Sequence, residues 1–204
     1  MKRMGKISVM ALIGLCVLFM VSCIPQFKNG LPVPENPVVD RKLPGNWEIV
    51  SKDKNGDEVY LHIYPRKSGK IDVLFVTRET KDKEDPIQVA HFEGFSTTLD
   101  NHNVLCMQET RELRGGKIDD PMDYMIFPYE VTEEGEFRVW ILKIDAVAEL
   151  VNKGKLPGEV DKGSYVTEVK VESPAERNRA VLERAGLKNL IEKDPTWVFV
   201  KKGK

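Results

Sequence analysis

Hydrophobic and polar side chains alternate with a period of two in a succession of short segments from Trp47 onward, each ending at a turn signal. Segments 47–50 and 59–64 flank Asn55-Gly56, a dipeptide that accepts the positive φ angles of a tight hairpin. Ser68-Gly69 separates 59–64 from 71–77. Segments 87–95, 104–110, 124–131 and 137–143 continue the series, with Asp100-Asn101, Gly115-Gly116 and Glu134-Gly135 in the gaps. Seven strands joined by short turns predict an antiparallel meander. In the last of them Phe137, Val139 and Ile141 alternate with Arg138, Trp140 and Leu142, so both faces carry apolar groups and the outer one needs cover. Helices are predicted to supply it. Asp145 is placed to cap a helix over 146–153 ending at Gly154. Ser173 and Glu176 form a capping box around Pro174, opening a helix to Ala185 that ends at Gly186. Segment 165–171 alternates like a strand, and 197–200, after Asp194-Pro195, reads as a closing one.

The N-terminus carries a different pattern. Lys2, Arg3 and Lys6 precede an uncharged apolar run from Ile7 to Val21, shorter than the ~20 apolar residues of a spanning helix and typical of an export signal. Met20-Val21-Ser22-Cys23 resembles the bacterial lipobox, in which a small residue precedes a cysteine that is diacylated and becomes the new N-terminus. The resemblance implies a lipoprotein signal peptide over residues 1–22, palmitate-type acyl chains on Cys23, and anchoring in the bacterial cell envelope. With Ile24 rather than Asp after the cysteine, it also implies the periplasmic face of the outer membrane. The plain alternative is a secretory signal cut near Ser22, with Cys23 incidental. Residues 24–42 contain Pro25, Pro32, Pro34 and Pro37 and no periodicity, which predicts an extended tether, 23–42, holding the domain off the membrane.

Of 204 residues, 41% are apolar and 31% charged, the balance of a globular chain. Basic and acidic residues number 31 and 32, so no basic field exists to drive nucleic-acid binding. Signal removal takes three cations and leaves 28 basic against 32 acidic groups. A mildly anionic domain is not attracted to anionic lipid, and the acyl chains must do the anchoring. About 160 residues from Leu43 onward are enough to bury roughly two-thirds of the unfolded surface without staples. Of three cysteines, the lipobox resemblance implies that Cys16 leaves with the signal and that Cys23 carries lipid. Cys106, in the apolar stretch Val104-Leu105-Cys106-Met107, is expected to be a buried, inert thiol.

Leu43-Pro44-Gly45-Asn46-Trp47 resembles the start of lipocalin-like domains, where Gly-x-Trp opens the first strand and the Trp plugs the closed end of the barrel. The meander, the run 139–150 passing from strand into helix, Asn152-Lys153-Gly154-Lys155-Leu156 and the helix after Ser173 extend the likeness. Together they resemble a group of bacterial lipoproteins whose mature domain begins with Leu-x-Gly-x-Trp. Two departures stand out: Asp123-Tyr124 keeps only part of a Thr-Asp-Tyr-like second motif, and Lys201 replaces the Arg that stacks on the Trp. The resemblance implies a mainly β, lipocalin-like antiparallel up-and-down barrel or half-barrel with C-terminal helices over 43–204. Burial alone explains Trp47, which shares a strand face with Ile49. If the barrel is open, Trp47, Leu61, Phe75 and Val139, with Val73 and Ile141, form the wall of a site for a small apolar or amphipathic ligand. If Trp47, Phe75, Phe95 and Phe137 all point inward they fill it, and the protein becomes an accessory component that contacts an envelope partner through its surface.

Catalytic and metal chemistry find little support. His62, His91 and His102 are dispersed, with only His91 and His102 conceivable as a pair across one hairpin, and no metal or cofactor is expected. No Gly-x-Ser-x-Gly elbow is present, and Gly115-Gly116 opens no helix that could cradle a phosphate. Asp82, Glu84 and Asp85, like Asp119, Asp120 and Asp123, lack the spacing of a calcium loop and read as solvated. An enzyme is not expected.

Overall fold

A computed structural model describes residues 24–50, 58–78, 87–111, 123–163 and 166–202. Eight strands close into an antiparallel up-and-down barrel. They are β2 (Gly45–Ile49), β3 (Glu58–Pro65), β4 (Ile71–Arg78), β5 (Ile87–Leu99), β6 (His102–Arg111), β7 (Met125–Val131), β8 (Glu136–Val139) and, closing the ring between β8 and β2, β11 (Trp197–Lys201). The meander is the one the alternation predicts, and of barrel and half-barrel it forms the barrel. Asp100 and Asn101 turn between β5 and β6 with φ of 49° and 60°, the left-handed pair of a tight hairpin. Asn55-Gly56 and Gly115-Gly116 lie outside the described residues, as do Cys23 and the signal.

Between β8 and β11 the chain makes helix α1 (Ile144–Asn152), strands β9 (Gly158–Lys162) and β10 (Thr167–Val171), and helices α2 (Ala175–Ala185) and α3 (Leu187–Leu190). The helices therefore precede the closing strand. With β1 (Gln26–Phe27), β10 and β9 form a three-stranded sheet in the order β1-β10-β9. This insertion covers the outer wall. Phe95, Cys106 and Ile126 on the outside of β5, β6 and β7 join Val147 and Leu150 of α1, Val171 of β10 and Leu182 of α2 in one buried cluster. A second cluster fills the barrel, around Trp47, Ile63, Phe127, Phe137 and Phe199. Phe95 thus faces out, contrary to the filled-barrel expectation, because the helical insertion offers it an apolar partner.

The tether expectation is corrected. Ile24, Phe27 and Leu31 are buried at 7%, 0% and 2% exposure. Phe27 exchanges backbone hydrogen bonds of 2.8 Å with Tyr124, and Lys28 N–H donates to Val171 O at 2.9 Å. Further on, Ser96 Oγ donates to Val38 O at 3.2 Å. The β3–β4 turn passes so close to Pro37 that a Cβ on Gly69 would sit 2.0 Å from Pro37 O. From Phe27 onward this segment is a strap laid along the outer wall, Ile24 enters the barrel end, and the folded unit takes in residues 24–42 as well as those from Leu43. The prolines remove backbone donors, but Ile24, Phe27, Leu31 and Val39 gain more from burial than a solvated coil offers.

Both helix starts also differ. α1 begins at Ile144 with no side-chain cap, and Asp145 sits in its first turn, where it still favours the positive end of the helix. α2 begins at Ala175 without a capping hydrogen bond. Ser173 Oγ donates instead to Asn178 Oδ1 at 2.7 Å. Asn178 Nδ2 in turn donates to Gly30 O at 2.8 Å, so the hydroxyl helps clamp the strap. The strand expected over 137–143 stops at Val139, after which Trp140 N–H donates to Pro128 O at 2.9 Å.

Candidate functional site: the barrel interior

The floor of the barrel is built by the opening motif. Trp47, 1% exposed, lies 5.2 Å from the Phe137 ring, which packs 5.8 Å from both Tyr129 and Phe199. The Trp47 indole donates to Leu43 O at 2.9 Å. Its outer face meets Lys201, whose Nζ stands 5.2 Å from the ring centroid, the place the resemblance assigns to an Arg. Gly45 makes this possible: its φ is +142° and a Cβ there would lie 2.8 Å from Lys201 Cε. The Lys stem crosses over a bare backbone to reach the indole.

Above this floor lies an apolar cavity of about 120 Å³. Leu61, Phe75 and Val139 line it, with Val73. Trp47 lies in the same core cluster but below the cavity, and Ile141 packs against that cluster from the edge. The alternation therefore brings three of the four expected wall residues together and makes the fourth the base. Sequence reasoning missed Ile24, Phe92, Glu109 and Trp197, which also line the space. Phe92 and Glu109 continue the inward periodicity of β5 and β6; Ile24 belongs to an aperiodic segment that carries no such signal. Glu109 is only 8% exposed and brings a carboxylate to a mostly apolar wall, where Thr77 adds a hydroxyl.

Size decides what can enter. Apolar cavities near 150 Å³ stay dry and accept a single aromatic ring, whereas sites for drug-sized ligands run to about 300–1,000 Å³. The volume of the space corresponds to one ring or a short stretch of alkyl chain.

Outside the barrel a polar network runs from the β3–β4 turn across β4, β5 and β6. Arg66 bonds Asp72 through two nitrogens at 2.6 Å and Glu93 at 2.8 and 3.2 Å. His91 Nε2 is 2.9 Å from Asp72 Oδ1, and its Nδ1 is 2.9 Å from Thr110 Oγ1. Asp72, His91 and Glu93 offer ligand atoms within 4.8 Å of one another, but the Arg66 guanidinium already bridges both carboxylates and supplies the positive charge a metal would bring. Burial pushes the Asp72 carboxyl up, yet hydrogen bonds from Arg66 and His91 outweigh it and hold the group below the ordinary carboxylate range. The same bonds raise Arg66. His91 and His102 do not pair: His91 lies opposite Arg111 and His102 opposite Leu99, at the two ends of the hairpin. His62 meets Asn46 Oδ1 at 2.8 Å and stacks on Tyr64.

Cys106 is fully buried. Its Sγ accepts the Leu31 N–H at 3.4 Å, and burial pushes the thiol up to about 12, which leaves no thiolate at neutral pH. On the outer wall a depression of about 640 Å³ borders His102, Trp140 and Lys188, and the Trp140 Nε1 is buried without a hydrogen-bond partner. Among the described residues no helix is long and apolar enough to cross a membrane. Comparison with protein-family models, with curated proteins and with solved structures finds no match to this chain.

Proposed function

We propose that the chain is a lipid-anchored envelope protein, held by acyl chains on Cys23, whose barrel takes up a small apolar group or the end of an amphipathic chain. The observation that carries the binding reading is the cavity of about 120 Å³ walled by Leu61, Phe75 and Val139. An apolar group entering it gains about 25 cal/mol per Å² removed from water, less the cost of ordering, so micromolar affinity demands a close fit. Trp197 on the wall supplies the reporter. Titration with fatty acids, short phospholipids and single-ring aromatics is expected to change tryptophan emission saturably, and Phe75→Ala is expected to shift the preference toward bulkier ligands. Absence of saturation for every amphiphile and ring tried overturns the reading.

A second reading, an accessory component acting through its surface on an envelope partner, is favoured by the filling of the lower barrel with Trp47, Tyr129, Phe137 and Phe199. The anchor has its own check. Cells fed labelled palmitate are expected to incorporate it into the wild-type protein and not into Cys23→Ala; equal labelling of both would reject the lipobox.

A further inference from the structure

The wall of the barrel cavity has one member of a different kind. Among the described residues that line it, Ile24 alone lies off the barrel strands; the others belong to β3 through β8 and to β11. In a closed ring each strand is hydrogen-bonded on both sides, so its side chains are fixed by the ladder. Ile24 belongs to no strand and is placed by burial: it is 7% exposed and joins the inner cluster with Leu61, Val73 and Phe199.

Between Ile24 and Phe27 the chain passes from the inner core to the outer one. Phe27 is already in the outer cluster, where it exchanges backbone hydrogen bonds with Tyr124 and where Lys28 N–H donates to Val171 O. Gln26 pairs with Lys170 of β10, and Gly30 O accepts from the buried Asn178 side chain. The strap is therefore fixed from Gln26 onward. Moving Ile24 out of the cavity breaks no rung of the barrel and leaves the strap seated; its cost is the apolar contact of one side chain. Moving any of the other lining side chains away means moving a barrel strand.

We propose that Ile24 is a built-in occupant of the barrel site and sets the size of the ligand it accepts: the cavity of about 120 Å³ is the space Ile24 leaves free, and an alkyl chain too long for that space binds by displacing the isoleucine. The proposal rests on the reading of the barrel as a site for an apolar group, and its test separates the two. A ligand that displaces Ile24 binds with an apparent affinity reduced by the fraction of molecules in which the side chain is withdrawn. Straight-chain alcohols of increasing length are titrated into the purified full chain, with tryptophan emission and melting temperature as readouts. Wild type is expected to lose affinity above a cut-off length. Ile24→Ala is expected to move the cut-off to longer alcohols and to bind those beyond the wild-type limit about tenfold or more tightly, the factor that follows when the withdrawn state is populated to about a tenth or less. Ile24→Phe places a ring in the same space and is expected to abolish binding while melting no lower than Ile24→Ala. A cut-off unchanged in Ile24→Ala, or unimpaired binding by Ile24→Phe, overturns the occupant and leaves the barrel site standing. If no alcohol of any length binds either wild type or Ile24→Ala, the binding reading falls and the occupant falls with it.

Discussion

Gly45, Trp47 and Lys201 act as one device. The indole closes the floor, the lysine covers its outer face at 5.2 Å, and the glycine provides both the positive φ and the bare backbone the lysine crosses. Gly45→Ala is expected to cost about 1–3 kcal/mol in chemical denaturation, most of it from the backbone, since the flexible lysine can shift. The sequence made Trp47 legible as a core residue; only the structure shows Lys201 placing its ammonium over the indole ring. Ser173 was legible only as a candidate cap, because a hydroxyl before Pro174 has the same sequence signature whether it meets a free amide or a buried amide side chain. It meets Asn178, itself fully buried. Ser173→Ala leaves a buried acceptor short of its donor and is expected to lower stability by about 1–3 kcal/mol. Glu176→Ala, at an exposed position, is expected to stay within about 0.5 kcal/mol of wild type. A comparable loss from both variants would restore the capping box.

Among the elements, the strands announce themselves and the strap does not. Alternation over β3, β4 and β6 fixes which side chains enter the barrel, and turn residues fix where each strand stops. Phe27 and Leu31, by contrast, are buried by partners that lie far along the chain: Val171 on β10, Tyr124 before β7, Asn178 on α2. Nothing local in a Pro-rich segment records them. The strap is an integral layer of the outer core, so Phe27→Ala is expected to cost about 3–5 kcal/mol. A protein starting at Leu43 is expected to melt well below one starting at Ile24, as differential scanning calorimetry would register; equal melting temperatures would mean that the strap is dispensable. The inward face of β6 extended to Glu109 was likewise readable from the period, while the entry of Ile24 into the cavity was not.

For the molecule as a whole, stability should depend on pH through the network on the outer wall. Arg66 and His91 hold Asp72 below its ordinary range, so folding favours its ionised form. That contribution is complete above the unfolded value of about 3.9 and disappears as pH falls through the lower folded value. Thermal melts from pH 6 downward are therefore expected to fall more steeply below about pH 4 for wild type than for Asp72→Asn; parallel curves would show that the network contributes nothing. The closing strand has a further consequence. β11 pairs with β2, setting Phe199 against Ile49, so the first barrel strand waits for nearly the last residues of the chain before it has both neighbours. Loop closure on that scale makes folding slow compared with chains dominated by local contacts. Until β11 has arrived the barrel is an open sheet with exposed edges, a state vulnerable to aggregation if it lingers.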